Sequence, residues 1–298
     1  MPLLYTSNAD DGSVSVVNTD SGTAEAITGF ERPSAVSFSE LGNHLLVCSL
    51  RSVQLVGASD SRVFGTIRAG RPSGAAISSD SRQVVVAFRD SDDIALFTSR
   101  GEERARIKVG KAPASVVFSP SRNATLVAVA NSGDGTVSLV DLKQGKALGR
   151  PVKVGTEPVA LAFAPDGSFL FVADRVDNTV TLLDIEADPK VLATFKVGDG
   201  PTAVTVNPTG FQACAVNSAA NTVSFIDVET MQVTSTVQVG SNPSGVVFDP
   251  AGARAYVTNS GDNTITVIQP PTGPDPGKAG GTLPTGKRPT GITLNPAS

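Results

Sequence analysis

The chain has 298 residues, of which 40% are hydrophobic and 17% charged, and its formal net charge is −4. A slightly acidic chain has no general attraction to nucleic acid or to anionic membrane surfaces, so we expect neither as a partner. No apolar run is long enough to cross a bilayer, which argues against a membrane-spanning protein.

The chain opens with three predicted strands, from Leu3 onward, and then enters a repeat that begins with proline. The gaps between successive prolines are 39, 41, 45, 43, 42 and 46 residues, which is the period of a four-stranded propeller blade. We therefore predict an all-β fold in which residues 1–298 form a single seven-bladed β-propeller domain. The repeat starts at Pro33, Pro72, Pro113, Pro158, Pro201, Pro243 and Pro289.

Each copy divides into strands. In the last full copy, Gly245–Asp249 is the predicted inner strand, Ala255–Asn259 the second and Asn263–Ile268 the third. The copy before it supplies an example of the fourth, outer strand at Val233–Val239. Alternating β-branched residues favour strands, and Gly, Asn, Asp and Pro fall where the turns are needed.

The copy that starts at Pro289 ends after one strand, whereas the chain begins with three strands that no such proline precedes. We predict that these two pieces form one blade, with Gly291–Leu294 paired to Leu4–Asn8. The stretch Gln269–Gly281 interrupts the last blade between its third and fourth strands, and its Pro- and Gly-rich composition predicts a flexible or extended loop.

The segment Tyr256-Val-Thr-Asn259, the strand after it and the Val-Gly-x-x-Pro spacer between copies resemble the YVTN-repeat propellers. The resemblance implies a seven-bladed ring. It does not imply one activity, because that family includes surface-layer proteins, periplasmic proteins and subunits of redox enzymes. The Asn of this motif has counterparts at Asn8, Asn131, Asp174 and Asn217, and we interpret Leu50 and Arg89 as its replacements in the copies from Pro33 and Pro72.

The residue types needed for metal or nucleophilic chemistry are scarce. His44 is the only histidine, and Cys48 and Cys214 are the only cysteines. The two cysteines fall in second strands of distant blades, so we expect reduced, buried thiols rather than a disulfide. Zinc, haem and Cys–His or Ser–His catalysis are therefore disfavoured, and we predict no metal site and no cofactor.

Basic residues gather at equivalent loop positions. In a propeller, the loop that enters each inner strand and the turn between the second and third strands open on the same face, around the channel mouth. The predicted ligand-binding residues on this face are Arg32, Arg51, Arg71, Arg89 and Arg288, with Ser34 and Ser73 just below them in the channel. Converging guanidinium groups bind carboxylates and phosphates, so we expect a small anionic molecule or a protein partner there.

Three classes of function agree with these observations. The first, which we favour, is a binding or interaction propeller. The second is a metal-free lyase, isomerase, cyclase or hydrolase, in which Arg residues stabilise an anionic intermediate and Glu157 or Asp199 moves a proton. The third is a structural surface protein, which the resemblance permits.

The compartment depends on the N-terminus. No charged leader followed by an apolar segment opens the chain, so we expect a cytoplasmic protein if the N-terminus is native, and a periplasmic or extracellular one if a signal peptide has been removed. The triplet Asn123-Ala-Thr125 matches a glycosylation acceptor, but such triplets often arise by chance.

Overall fold

A computed structural model of the chain describes residues 3–120, 125–186 and 188–297, and Asn123 of the glycosylation triplet lies outside these ranges. Across the described residues, the strands form seven four-stranded antiparallel sheets, and no helix is present. Successive inner strands contact each other from one sheet to the next, and the last contacts the first. The predicted all-β seven-bladed propeller is confirmed.

The blades are numbered from the N-terminus. Blade 1 combines β1 (Leu3–Asn8), β2 (Ser13–Asn18) and β3 (Ala24–Thr28) with the last strand of the chain, β28 (Pro289–Leu294). Blade 2 consists of β4 (Ala35–Phe38), β5 (His44–Cys48), β6 (Ser52–Gly57) and β7 (Val63–Arg68). Blade 3 consists of β8 (Pro72–Ile77), β9 (Gln83–Phe88), β10 (Asp93–Thr98) and β11 (Glu103–Lys108). Blade 4 consists of β12 (Pro113–Phe118), β13 (Leu126–Asn131), β14 (Thr136–Asp141) and β15 (Lys146–Lys153).

The remaining blades repeat this pattern. Blade 5 consists of β16 (Pro158–Phe163), β17 (Phe169–Asp174), β18 (Thr179–Asp184) and β19 (Lys190–Lys196). Blade 6 consists of β20 (Pro201–Val206), β21 (Gln212–Asn217), β22 (Thr222–Asp227) and β23 (Gln232–Gln238). Blade 7 consists of β24 (Pro243–Phe248), β25 (Ala255–Asn259), β26 (Thr264–Gln269) and β27 (Lys278–Pro284).

The two ends of the chain close the ring within blade 1. Strand β28 pairs antiparallel with β1, and Leu294 lies opposite Leu4. Both leucines pack into one buried cluster with Tyr256 and Ile265 of blade 7. The predicted closure is therefore confirmed, and it combines a strand ladder with an interface to the neighbouring blade.

The hydrophobic core lies between adjacent blades, because alternate residues of each strand face opposite neighbours. Between blades 5 and 6, for example, Phe171, Phe195 and Ile226 are buried together. Cys48 and Cys214 are buried, free thiols in two other such interfaces. Burial raises the pKa of Cys48 to about 11 and also raises the pKa of Cys214.

A polar hub at the end of the second strand recurs in several blades. In blade 4, the Asn131 amide donates hydrogen bonds to Thr136 Oγ1 at 3.0 Å and Ser138 Oγ at 2.9 Å, both on the third strand. The same bonds to the third strand are made by Asn8, Asn217 and Asn259.

The strand register corrects one interpretation made from the sequence. Phe88 pairs with Pro72 as Asn131 pairs with Pro113, so Phe88, and not Arg89, replaces the hub Asn in blade 3. In blade 2, Cys48 is the last paired residue of the second strand, which gives the hub position to Ser49 rather than Leu50. Leu50 and Arg89 lie one residue further on, in the turns at the mouth.

The insertion in blade 7 is attached to the rest of the fold. The Gln212 side-chain amide donates to the Pro271 carbonyl at 3.3 Å, and the Ser235 hydroxyl donates to the Pro276 carbonyl. Both donors belong to blade 6, and Lys278 already starts β27. The predicted extended loop thus shortens to the residues between β26 and β27, and it contacts the outer strand of the neighbouring blade.

Candidate functional site

The loop that enters each inner strand lies against the turn between the second and third strands, as the sequence predicts. The Ala9 amide donates to the Arg288 carbonyl at 3.0 Å, and the Leu50 amide donates to the Glu31 carbonyl at 2.9 Å. The Ser132 amide makes the corresponding bond to Ala112 at 3.1 Å. These bonds hold both sets of residues on one face of the ring.

The residue before the repeat proline has a left-handed backbone in most blades. Arg32 has φ 46° and Arg288 has φ 54°. The Arg288 amide also donates to Asn263 Oδ1 of blade 7 at 2.7 Å, which fixes the loop where the Arg288 side chain leaves it. Blade 3 differs, because Gly70 (φ 66°), and not Arg71, has the left-handed backbone.

Several acidic residues on this face have structural roles. The carboxylate of Asp11 accepts the Lys287 amide at 2.6 Å, and Asp262 accepts the Ser241 amide at 2.6 Å. Asp134 and Asp177 make equivalent bonds in blades 4 and 5. These carboxylates lie in turns and stabilise the loops, so several of the acidic side chains at the mouth are already hydrogen-bonded to the backbone.

Blade 2 has a shorter turn between its second and third strands. Ser49 and Ser52 are joined by a 2.8 Å backbone hydrogen bond with two residues between them, whereas four residues separate Asn131 from Thr136 in blade 4. The shorter turn has no counterpart of Asp134. The mouth between Arg32 and Arg71 therefore has one carboxylate fewer and a smaller turn than the corresponding part of blade 4.

A cavity of about 640 Å³ occupies this sector of the channel mouth. It extends from blade 1 to blade 5 and contains six of the nine residues that the sequence analysis singled out. Its lining comprises Ala9, Arg32, Ser34, Ser49, Leu50, Arg71, Pro72, Ser73, Arg89, Asp90, Ala114, Val159, Arg288 and Thr290.

The three other candidate residues do not line the cavity. Arg51 points toward Glu31, with 3.9 Å between its Nε and the carboxylate. The Glu157 carboxylate accepts two hydrogen bonds from Arg175. Asp199 is exposed and accepts a bond from the Asn178 side chain at 3.1 Å.

The cationic side chains of the cavity differ in their partners. Arg288 lies 3.4 Å from Asp10, and both side chains are 51% exposed. Within the described residues, no carboxylate oxygen lies within 4 Å of the guanidinium groups of Arg32, Arg71 or Arg89. These three side chains keep their donors available, and an anion in the cavity would meet them together.

The hydroxyl groups below the arginines link neighbouring blades. The Ser73 hydroxyl donates to the Pro113 carbonyl of blade 4 at 2.5 Å, and Thr290 donates to the Pro33 carbonyl of blade 2 at 3.2 Å. Ser34 differs, because its longer bond of 3.4 Å goes to the Cys48 carbonyl within its own blade. The protons of Ser73 and Thr290 are therefore used within the ring rather than offered to a ligand.

Ser49, Asp90, Ala114 and Val159 are cavity residues that the sequence analysis did not select. Ser49 is 1% exposed, and its hydroxyl has no hydrogen-bond partner among the described residues. Its position could have been found by counting, because Ser49 follows Pro33 by sixteen residues, as Asn217 follows Pro201. Ala114 and Val159 follow their prolines by one residue, as Ser34 does.

Among the residues that the structure describes, no group of three or more His, Cys, Asp or Glu side chains could hold a metal ion. Over the same residues, no helix is long and apolar enough to cross a membrane.

Comparison with solved structures shows the same fold in other proteins. The hydrazine synthase of Kuenenia stuttgartiensis is similar with a TM-score of 0.78 and 20% identity over 89% of this chain and 90% of that one. A protein of unknown function from Desulfotomaculum acetoxidans gives a TM-score of 0.86 and 14% identity over 99% of both chains. A candidate 6-phosphogluconolactonase from Bacteroides uniformis gives 0.81 and 15% identity over 98% of this chain and 99% of that one.

Sequence comparison adds the family. No curated protein matches the chain significantly. The family model described as "YNCE-like beta-propeller" matches residues 60–252, which is more than half of the chain. Together with the repeat and the ring of seven sheets, this match shows that the chain belongs to the YNCE-like beta-propeller family.

Proposed function

We propose that the protein is a binding propeller that takes a small organic anion into the cavity at its channel mouth. The observation that carries this proposal is that Arg32, Arg71 and Arg89 line one cavity and have no carboxylate within 4 Å among the described residues. Guanidinium groups placed together at a concave surface attract an anion electrostatically and bind it through charge-assisted hydrogen bonds.

The proposal favours binding over catalysis. Glu157 and Asp199 were the carboxylates expected to move a proton, and both are bonded to other side chains outside the cavity lining. Asp90 is the carboxylate in the lining, and it is exposed. Among the described residues, no buried carboxylate lines the cavity to act as a general base shielded from water.

Isothermal titration with phenyl phosphate tests the proposal. Replacing Arg32 or Arg71 with Gln removes one charge-assisted contact, and each change is expected to weaken binding by about 1.5–3 kcal/mol. Arg51→Gln is the matched control, because Arg51 belongs to the same face but faces Glu31. Normal binding by both Arg32→Gln and Arg71→Gln would contradict the proposal, as would an equal loss in Arg51→Gln.

A further inference from the structure

The cavity has two chemically different sides. Blades 1 to 3 contribute all the charged residues of the lining, namely the arginines and Asp90, together with Ala9, Leu50 and Pro72. Blades 4 and 5 contribute only Ala114 and Val159. These two residues stand directly after the repeat proline, where blades 1, 2 and 3 carry Thr290, Ser34 and Ser73. The ring of hydroxyls at this level is thus replaced by apolar side chains on the side of the cavity away from the arginines.

The volume of the cavity also exceeds what a simple anion fills. At about 640 Å³ it lies within the range of pockets that bury a whole organic ligand. An inorganic phosphate bound to the arginines would leave Val159 and Ala114 against water. An apolar group beside them would remove that surface from water and add to the affinity.

We propose that the ligand is an amphiphilic organic anion, with its phosphate or carboxylate on the arginines of blades 1 to 3 and an apolar body against Ala114 and Val159. This inference rests on the proposed function and narrows it to a ligand class. It disfavours inorganic anions and heavily hydroxylated ones, because hydroxyl groups facing Ala114 and Val159 would lose hydrogen bonds to water without gaining partners there.

Two phosphate monoesters with the same charge and a six-membered carbon ring separate these cases. Phenyl phosphate has an apolar ring, and inositol monophosphate has a hydroxylated one. We expect isothermal titration to give phenyl phosphate a dissociation constant at least about tenfold lower than that of inositol monophosphate.

A substitution taken from other blades tests the role of Val159. Val159→Thr introduces the residue that blades 1 and 6 carry at this position, as Thr290 and Thr202, so the fold tolerates it. We expect this substitution to weaken the binding of phenyl phosphate by roughly 3- to 10-fold. The affinity for inositol monophosphate should stay within about twofold of the wild-type value. Thr202→Val is the matched control, because Thr202 does not line the cavity. It should leave the affinities for both esters unchanged.

The outcomes distinguish this inference from the proposed function. If both esters bind with equal affinity, and Arg32→Gln weakens the binding of both, the proposed anion site is supported and the proposal of an amphiphilic ligand is wrong. If Val159→Thr and Thr202→Val have the same effect on phenyl phosphate, the contact with Val159 is wrong. If neither ester binds, or if Arg32→Gln and Arg71→Gln both bind the esters normally, the proposed function fails and this inference fails with it.

Discussion

The hydroxyl of Thr181 donates a 2.6 Å hydrogen bond to Asp174 Oδ2, inside the hub of blade 5. Thr179 makes a second, longer bond of 3.3 Å to the same oxygen. Asp174 is fully buried, and it occupies the position where blades 4 and 6 carry Asn131 and Asn217. Blade 5 therefore places an ionisable group where its neighbours place a neutral amide.

Burial raises the pKa of Asp174 to about 6 from an ordinary value of 3.8, although the bonds from Thr181 and Thr179 act in the opposite direction. The folded state thus binds the proton more tightly than the unfolded state. The stabilisation from this proton is complete below about pH 3.8 and is lost as the pH rises through about 6.

Asp174→Asn is expected to stabilise the protein above pH 7 by about 1–3 kcal/mol, because the neutral amide carries no charge to desolvate. The gain should shrink as the pH falls from 7 toward 5. Urea unfolding across this range measures it. Asn217→Asp is the matched reverse change and should destabilise most at high pH. An Asp174→Asn protein that is less stable than wild type at pH 8 would contradict this explanation.

Ring closure can be tested at the C-terminus. Deleting residues 289–298 removes β28, exposes the edge of β1 and removes Leu294 from its buried cluster. We expect the thermal midpoint to fall by about 10 °C or more. Deleting residues 297–298 leaves β28 intact and serves as the control. A 289–298 deletion that melts at the wild-type temperature would show that the closing strand adds no stability.

Blade 3 replaces the hub with an ion pair and an aromatic ring. Asp93 is almost fully buried and bonds to Arg106 at 2.9 Å, and the Arg106 guanidinium lies 4.6 Å from the centre of the Phe88 ring. Arg106→Ala should lower the free energy of unfolding by about 1–3 kcal/mol. This loss is smaller than for a fully buried ion pair, because the Arg106 side chain is 41% exposed and Lys108 also contacts Asp93.

Arg104→Ala provides the comparison for Arg106→Ala. Arg104 lies on the same outer strand and pairs at 2.8 Å with Glu102, which directly precedes that strand, but both side chains are more than half exposed. Its loss should cost about 0–1 kcal/mol in urea unfolding. Equal effects of the two substitutions would contradict a special role for Arg106.

The cysteines give a test of packing between blades. Cys48 and Cys214 are buried and their pKa values are raised, so little thiolate is present at neutral pH. A thiol reagent should label them about 100-fold more slowly in the native protein than in urea. Rapid labelling of the native protein would mean that the blade interfaces open readily.

The repeat prolines were enough to predict the ring, because their spacing, the strand pattern and the split copy all depend on local sequence. The spacing also contains the position of the hub residue, since Phe88 follows Pro72 by sixteen residues, as Asn217 follows Pro201. The convergence of Arg32 and Arg71 was likewise predictable from their equivalent loop positions.

Other features of the site depend on contacts that the sequence does not encode locally. Glu157 and Arg175 occupy adjacent loops, and only the fold shows that they bond to each other and do not line the cavity. The apolar side formed by Ala114 and Val159 becomes visible once the position after the proline is known to line the cavity.

A crystal structure of the protein with phenyl phosphate tests the central claim most directly. We predict that the phosphate lies in the channel mouth over blades 1 to 3, within hydrogen-bond distance of Arg32 and Arg71, with the ring toward Val159. A phosphate bound on the opposite face, at the outer strands, or over Asn242 on the far side of the ring would contradict the proposed site.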